Sequence, residues 1–415
     1  MGNEKGETGS MGPLAGLRVL DFCRVLSGPW AAQLLGDLGA EVIKVEKPGT
    51  GDDFRDVPPH LNDKDGKPTR ESALYLSTNR NKKSLSLDIS KPAGREVAMH
   101  LAAKCDVVLE NFRAGLMQRR GLGYETLSAD NPGLIYCSIS GFGQSGPYAQ
   151  GAGYDSIFQA YSGMMNMTGH RDGDPGDGPI RTGPSLCDVN AGMYAVVAVL
   201  SALHHRGKTG RGQYIDLAML DTTLAMVSHQ AMTFLVSGKD APRVGNGSPY
   251  GGPTGLFHCT DGLIMVTAAD DDSFGKFCTV LEVPELARDE RFRERPGRVT
   301  HNKELMALVN GYTRQRGRNE LLDALRAQGL ACAPVNNSAE AYADPQVRHR
   351  EMVRNLPHPV AGTLRMVANP LRFSDTPLTR YDPPPLLGEH SKQVLSSLLG
   401  LSADDIDKLR ADGVL

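Results

Sequence analysis

Residues 17–48 read LRVLDFCRVLSGPWAAQLLGDLGAEVIKVEKP, and this stretch decides the fold. Its two ends, LRVLDFCRV (17–25) and AEVIKVEKP (40–48), are short runs rich in Val, Ile and Leu. Between them GPWAAQLLGDLG (28–39) has the length of a short helix. Strand, helix of about a dozen residues and strand make a right-handed βαβ unit, whose two strands must run parallel. The pattern repeats downstream. SLSLDIS (84–90) reads as a strand, and PAGREVAMHLAAKC (92–105) as a helix with Val97, Leu101 and Ala102 at i, i+4 and i+5. CDVVLEN (105–111) and LIYCSIS (134–140) read as strands flanking a helical segment at 114–121. Repeated β/α alternation before residue 145 predicts an open α/β sheet.

After Gly212 the pattern changes. QYIDLAML and DTTLAMVSHQAMTFLVSG are followed by the glycine-rich VGNGSPYGGPTG (244–255) and by FHCTDGLIMVTA, which reads as a hairpin turning at Thr260, Asp261 and Gly262. ACAPVNNS (331–338) reads as an edge strand closing a smaller α+β unit. The expected organisation is a tail over residues 1–12, a large domain over 13–225, a linker and small domain over 226–338, and a return to the large domain over 339–415. In that last part the prolines 383–385 space out a last helix, Ser391–Leu399.

The 415 residues are 40% hydrophobic and 22% charged, with a net charge of −3. That is ordinary soluble globular composition, and without a Lys or Arg run it offers no nucleic-acid surface. Seven cysteines, at 23, 105, 137, 187, 259, 278 and 332, are scattered and form no C-x-x-C pair. This argues against a disulfide framework or a zinc site and suits a reducing compartment. No signal peptide opens the chain, and the uncharged run 193–203 falls short of the roughly 20 residues a bilayer crossing takes. A cytoplasmic protein with no membrane partner is expected.

GPSLCDVNAGMYAVVAVLSALHHR (183–206) sets a single aspartate at the head of that uncharged run. It reads as a buried helix with a basic last turn, His204, His205 and Arg206, stopped by Gly207. Asp188 is then either an N-cap or a catalytic carboxylate, held ionised by the helix N-terminus in an apolar pocket. The segment by itself leaves both open. GFGQSG (141–146) fits G-x-G-x-x-G, yet Pro147 and the pair Gly151 and Gly153 prolong a loop where a dinucleotide site needs a helix. NAD or FAD is therefore not expected. No P-loop, H-E-x-x-H or G-x-S-x-G is present. Adjacent histidines point apart on a helix and cannot chelate one ion. Carboxylate chemistry without a metal is what remains.

Eight segments, in order, carry a resemblance: PLAGLRVLDFCRVLSGPWAAQLLGDLGAEVIKVEKPGTGD, NRNKKSLSLDI, DVVLENFRAG, GFGQSGPY, GYD, CDVNAGMY, KTGRGQYID and PPLLGEH. From about residue 13 to the C-terminus the chain resembles the class III CoA-transferase family, which includes formyl-CoA transferase and the α-methylacyl-CoA racemases. STNRNKKS, GTGDD and PPPLLGEH resemble the succinyl-CoA:glutarate branch. The resemblance implies an interlaced homodimer with a discontinuous Rossmann-like large domain and an inserted small α+β domain. It implies no permanently bound cofactor, an acyl-CoA thioester as substrate and a small carboxylic acid as its partner.

By the same resemblance Asp188 is the nucleophile. CoA would lie along Val25, Leu26, Lys47, Leu87, Asn111, Phe112 and Arg119, with Tyr154 as a further ligand contact. Leu26 replaces an amide found in formyl-CoA transferase and cannot donate a hydrogen bond, which argues against oxalate or formate. Tyr154 stands where racemases have histidine; a phenol is a poor base at neutral pH, so racemase chemistry is the weaker alternative. A non-catalytic CoA-binding module is the alternative of another class. A dicarboxylate needs a second cation, and Arg80 and Arg298 are the candidates. The stretch 245–252, with Gly247 at its centre, reads equally as a lid over the acid or as a linker.

Overall fold

The computed structural model describes residues 12–248 and 251–415, so the tail expected over 1–12 lies outside the described residues but for Gly12. Strand β1 (Arg18–Asp21), helix α1 (Ser27–Asp37) and strand β2 (Glu41–Glu46) form the opening βαβ unit. β1 and β2 pair in parallel, with Leu20 opposite Ile43. A hairpin, β3 (His60–Asn62) and β4 (Pro68–Ser72), leads through α2 (Ala73–Thr78) to β5 (Lys82–Ser86). Then follow α3 (Pro92–Ala102), β6 (Val107–Glu110), α4 (Leu116–Arg119), α5 (Tyr124–Asp130), β7 (Ile135–Ser140), α6 (Asp155–Tyr161) and α7 (Met164–Met167). α8 (Leu186–Thr209), β8 (Tyr214–Ala218) and α9 (Met219–Met226) complete this stretch.

Six of these strands form one sheet in the order β5-β2-β1-β6-β7-β8, and every neighbouring pair is parallel. Counted along the chain this is the 3-2-1-4-5-6 order of a doubly wound sheet, and the order reverses between β1 and β6. Val19, Leu20, Val42, Ile43, Val108 and Ile135 are buried, as strands covered on both faces require.

QYIDLAML, within the span 13–225 given to the large domain, supplies β8, the sixth strand of the same sheet. The helix at 193–203 is α8, 24 residues long, and it ends at Gly210, whose φ of 73° suits the left-handed C-terminal turn, rather than at Gly207. By length and composition α8 is apolar enough to cross a membrane. Against that reading, it packs along α1 and buries Ala191, Gly192, Ala195 and Val199. A Cβ on Gly192 would stand 2.7 Å from the Ser27 carbonyl oxygen, so only glycine permits this approach.

The chain divides into two compact units. One comprises the residues up to Ser162, Gly183–His229 and Arg348–Leu415; the other comprises Gly163–Thr182 and Gln230–Val347. Residues 163–182, which the sequence reading kept in the large domain, thus group with the second unit. There, after α10 (Ser228–Ser237), come β9 (Thr254–Cys259), β10 (Gly262–Thr267), α11 (Asp271–Val280), α12 (Arg295–Thr300), α13 (Asn302–Thr313), α14 (Arg318–Ala327) and β11 (Ala331–Pro334). The three strands form an antiparallel sheet in the order β11-β10-β9, packed on Phe257, Phe274, Phe277, Leu305 and Leu321.

α15 (Ser338–Ala343) and α16 (Pro345–His349) lead out of the second sheet's sequence. The C-terminal part of the first unit holds the hairpin β12 (Val353–His358) and β13 (Gly362–Val367), then α17 (Ser391–Leu399). α17 is not the last helix, because α18 (Ala403–Ala411) follows it and sends Ile406 into the core of the first unit.

Candidate active site

In an open parallel sheet, ligands bind beyond the carboxyl ends of the strands where the strand order reverses. Here that place is the pair of loops leaving β1 and β6. The Asn111 side chain, just after β6, joins them: its oxygen accepts from the Arg24 N–H at 2.9 Å and its amide donates to the Arg24 carbonyl at 2.8 Å. Two cavities of the first unit meet at Phe112. One, of about 210 Å³, is lined by Val25, Ser27, Asn111, Phe112, Tyr154 and Asp188, among others. The other, of about 230 Å³, combines Arg24, Lys47 and Arg120 with the apolar Val45, Leu87 and Phe112. Cations beside an apolar slot are what a phosphorylated nucleotide requires.

Asp188 is the third residue of α8 and not its N-cap; Ser185 holds that position without a side-chain cap. The capping carboxylate comes from α6. Asp155 Oδ2 accepts from the backbone N–H groups of Cys187, at 2.8 Å, and Asp188, at 3.3 Å. The Asp188 side chain is thereby free to face α1, where the hydroxyl and the N–H of Ser27 donate to it. Sequence reading expected the helix to hold this carboxyl ionised. Instead, burial, with the negative charge of Asp155 adding to it, pushes its pKa up to about 7 against the two Ser27 hydrogen bonds.

A consequence for stability follows. An unfolded aspartate titrates near 4, so the folded value is raised, and the stabilising contribution of the neutral form is present below about pH 4 and lost as pH rises through about 7. Asp188→Asn keeps the shape and removes the charge. We expect it to be more stable than the parent at pH 8 by about 1–3 kcal/mol, discounted for partial exposure, and the gain to vanish towards pH 4. Urea midpoints measured at both pH values check this.

Of the residues expected from sequence, Val25, Asn111, Phe112 and Tyr154 share the Asp188 cavity, and Lys47 and Leu87 share the neighbouring one. Leu26 caps α1 and lines neither. Arg119 is exposed and lines neither, while its neighbour Arg120 does. Arg80 is elsewhere. It borders an apolar cavity of about 440 Å³ that shares no lining residue with that of Asp188. Its guanidinium is committed, donating to the two Asp37 oxygens at 2.8 and 2.5 Å and to the Val367 carbonyl at 3.0 Å.

In the second unit Arg298 is fully buried and donates to the carbonyls of Gly252, Phe292 and Ala269 and to Asp271. It pins loops and has little left for an acid. Gly247 donates its N–H to the Val244 carbonyl; Pro249 and Tyr250 of the same stretch lie outside the described residues. Sequence reasoning missed Ser27, Asp155, Arg24 and Arg120. The acid of GYD, immediately after Tyr154, was the available signal for Asp155; nothing local marks Ser27.

The chain matches the model of CoA-transferase family III over residues 14–391. It is 38% identical over 415 residues to the succinyl-CoA:glutarate CoA-transferase of Homo sapiens, covering 100% of this chain and 92% of that one. It is 40% identical over 387 residues to the succinate–glutarate CoA-transferase of Agrobacterium fabrum, covering 93% of this chain and 96% of the relative. The crystal structure of a CAIB/BAIF family protein from Brucella suis aligns with a TM-score of 0.85 at 40% identity, over 93% of this chain and 99% of that one.

Proposed function

The chain belongs to CoA-transferase family III and is an enzyme; from that premise we propose that it moves CoA from succinyl-CoA to a free dicarboxylic acid, with Asp188 as nucleophile. The observation that carries this reading is a half-buried aspartate in a cavity at the sheet's reversal point, its oxygens met by the Ser27 hydroxyl and N–H.

The steps balance without ATP or a metal. An Asp188 oxygen attacks the thioester carbonyl carbon, the C–S bond breaks and CoA leaves as thiolate, giving a mixed anhydride. The thiolate then attacks the Asp188 carbonyl, releasing the donor acid and leaving an aspartyl-CoA thioester. The incoming carboxylate attacks that thioester and re-forms an anhydride. CoA thiolate finally takes the new acyl group and returns Asp188 as carboxylate. Each exchange conserves the acyl free energy, so the protein's task is orientation and electrostatics. Arg24, Lys47 and Arg120 would hold the nucleotide and phosphates, and the Val25–Asn111–Phe112 wall the pantetheine.

With Arg80 and Arg298 committed elsewhere, Arg113, an exposed cation on the Asp188 cavity, is the group we assign to the distal carboxylate. With succinyl-CoA as donor, C4 to C6 dicarboxylates should turn over at least about tenfold faster than monocarboxylates of equal length, and Arg113→Met should remove the preference. Equal use of valerate and glutarate by the unmodified enzyme refutes the dicarboxylate assignment.

An interlaced homodimer in the cytoplasm belongs to the same reading. Met193, Tyr194, Val197 and Leu200 leave an apolar face of α8 open, which a second copy would cover; sedimentation tests this.

A further inference from the structure

The loop between β1 and α1 is held more firmly than a connection requires, and it is held in a strained form. Val25 has φ 69°, a left-handed conformation that a β-branched residue adopts only when its surroundings impose it. The restraints are consecutive. The Cys23 carbonyl accepts from Lys44 Nζ at 2.8 Å. Both backbone groups of Arg24 are bound by Asn111. The Val25 N–H donates to Asp52 Oδ1 at 3.0 Å, and Asp52 Oδ2 in turn accepts from Lys44 Nζ at 2.8 Å. The side chains of Lys44 and Asp52 are both 0% exposed. Two residues beyond Val25, Ser27 begins α1 and turns its N–H and hydroxyl to Asp188.

Burying an ion pair completely brings little net stability, and neither partner touches either cavity's interior. What the pair does is fix the loop. We propose that Asp52, braced by Lys44, is a positioning residue that holds Val25 in its left-handed conformation and thereby aims the Ser27 donors at Asp188. Asn111 is the second clamp, acting on Arg24 from the other side of the sheet's reversal point. The proposal rests on Asp188 being the nucleophile and names how this protein orients it.

The test is a double-mutant cycle on purified enzyme with succinyl-CoA and the best acceptor. Asp52→Ala is expected to lower kcat by roughly 10²-fold, the scale of an ångström-sized misplacement of reacting groups, with KM for succinyl-CoA changed by less than about threefold. Asp52→Asn, which keeps an oxygen for the Val25 N–H, should recover most of the loss. Ser27→Ala should also lower kcat, and adding Asp52→Ala to it should cost clearly less than Asp52→Ala costs in the parent, because the hydroxyl is one of the two donors that Asp52 positions. If Asp52→Ala does not fold, Lys44→Gln, which takes the brace from Asp52 and lines neither cavity, is put through the same cycle with Ser27→Ala. An unchanged kcat, or losses that multiply independently of Ser27→Ala, overturns the proposal. Failure of hydroxylamine to modify Asp188 in the unmodified enzyme with acyl-CoA would instead overturn the nucleophile reading, so the two failures are told apart.

Discussion

Asp188→Ala is expected to lower thioester exchange by about 10³-fold or more while leaving acyl-CoA bound. Among the described residues the carboxylate whose charge acts on Asp188 is Asp155, and it is occupied at Oδ2 by the N–H groups of Cys187 and Asp188 and at Oδ1 by the Gln159 amide, so it does not replace the nucleophile. Losing the covalent route typically costs several powers of ten, whatever orientation and hydrogen bonding remain. Binding should survive, since Arg24, Lys47 and Arg120 lie in the adjoining cavity and do not depend on Asp188. Steady-state exchange with purified substrates and calorimetric titration with acyl-CoA measure these two quantities, and mass analysis of the Asp188 peptide of the unmodified enzyme after hydroxylamine treatment checks the covalent step. Full turnover by the variant would end the covalent mechanism.

The second large effect is on folding. Arg80→Met should destabilise the protein by about 3–5 kcal/mol, because it leaves the Asp37 carboxylate buried without its cation. Asp37 is 4% exposed, and its remaining donors are the side-chain amides of Asn81 at 2.7 Å and Asn369 at 2.9 Å. Two neutral hydrogen bonds do not replace a bidentate guanidinium. The urea midpoint should fall accordingly, and Arg80→Met with Asp37→Leu, which removes both charges, should recover much of it. The acid preference of the folded variant should match the parent's. A variant with parental stability and a lost dicarboxylate preference would return Arg80 to the substrate site.

Arg80 shows where sequence reading ran out. Flanked by asparagines just before a strand, it has the look of a loop cation free for an anion. Its partner Asp37 closes α1, with β2 and a hairpin between them along the chain. No local pattern marks such a pair. Arg298 misled in the same way: in a helical turn with polar neighbours it reads as solvated, yet three carbonyls converge on it. Asp188 was easier, since a lone acid at the head of an uncharged run stands out from composition alone. That it is the third helical residue and not the cap was not legible, because Asp155 supplies the cap from another helix.

By itself the sequence determined the alternation of strands and helices, the βαβ start, the hairpin at Thr260 and Asp261, the family resemblance and the identity of the acid at the head of α8. These depend on periodicity and on residues close together in the chain, where backbone preference and side-chain pattern act over a few positions. Only the tertiary structure decided that β8 closes the edge of the same parallel sheet, that Ser27 meets Asp188, that Lys44 and Asp52 clamp Val25 in a left-handed turn, and which arginines remain open to a ligand. Those outcomes turn on charges and hydrogen-bonding groups from distant segments meeting in a low-dielectric interior. There a pair is settled by geometry and desolvation together, and neither is written in the residues on either side.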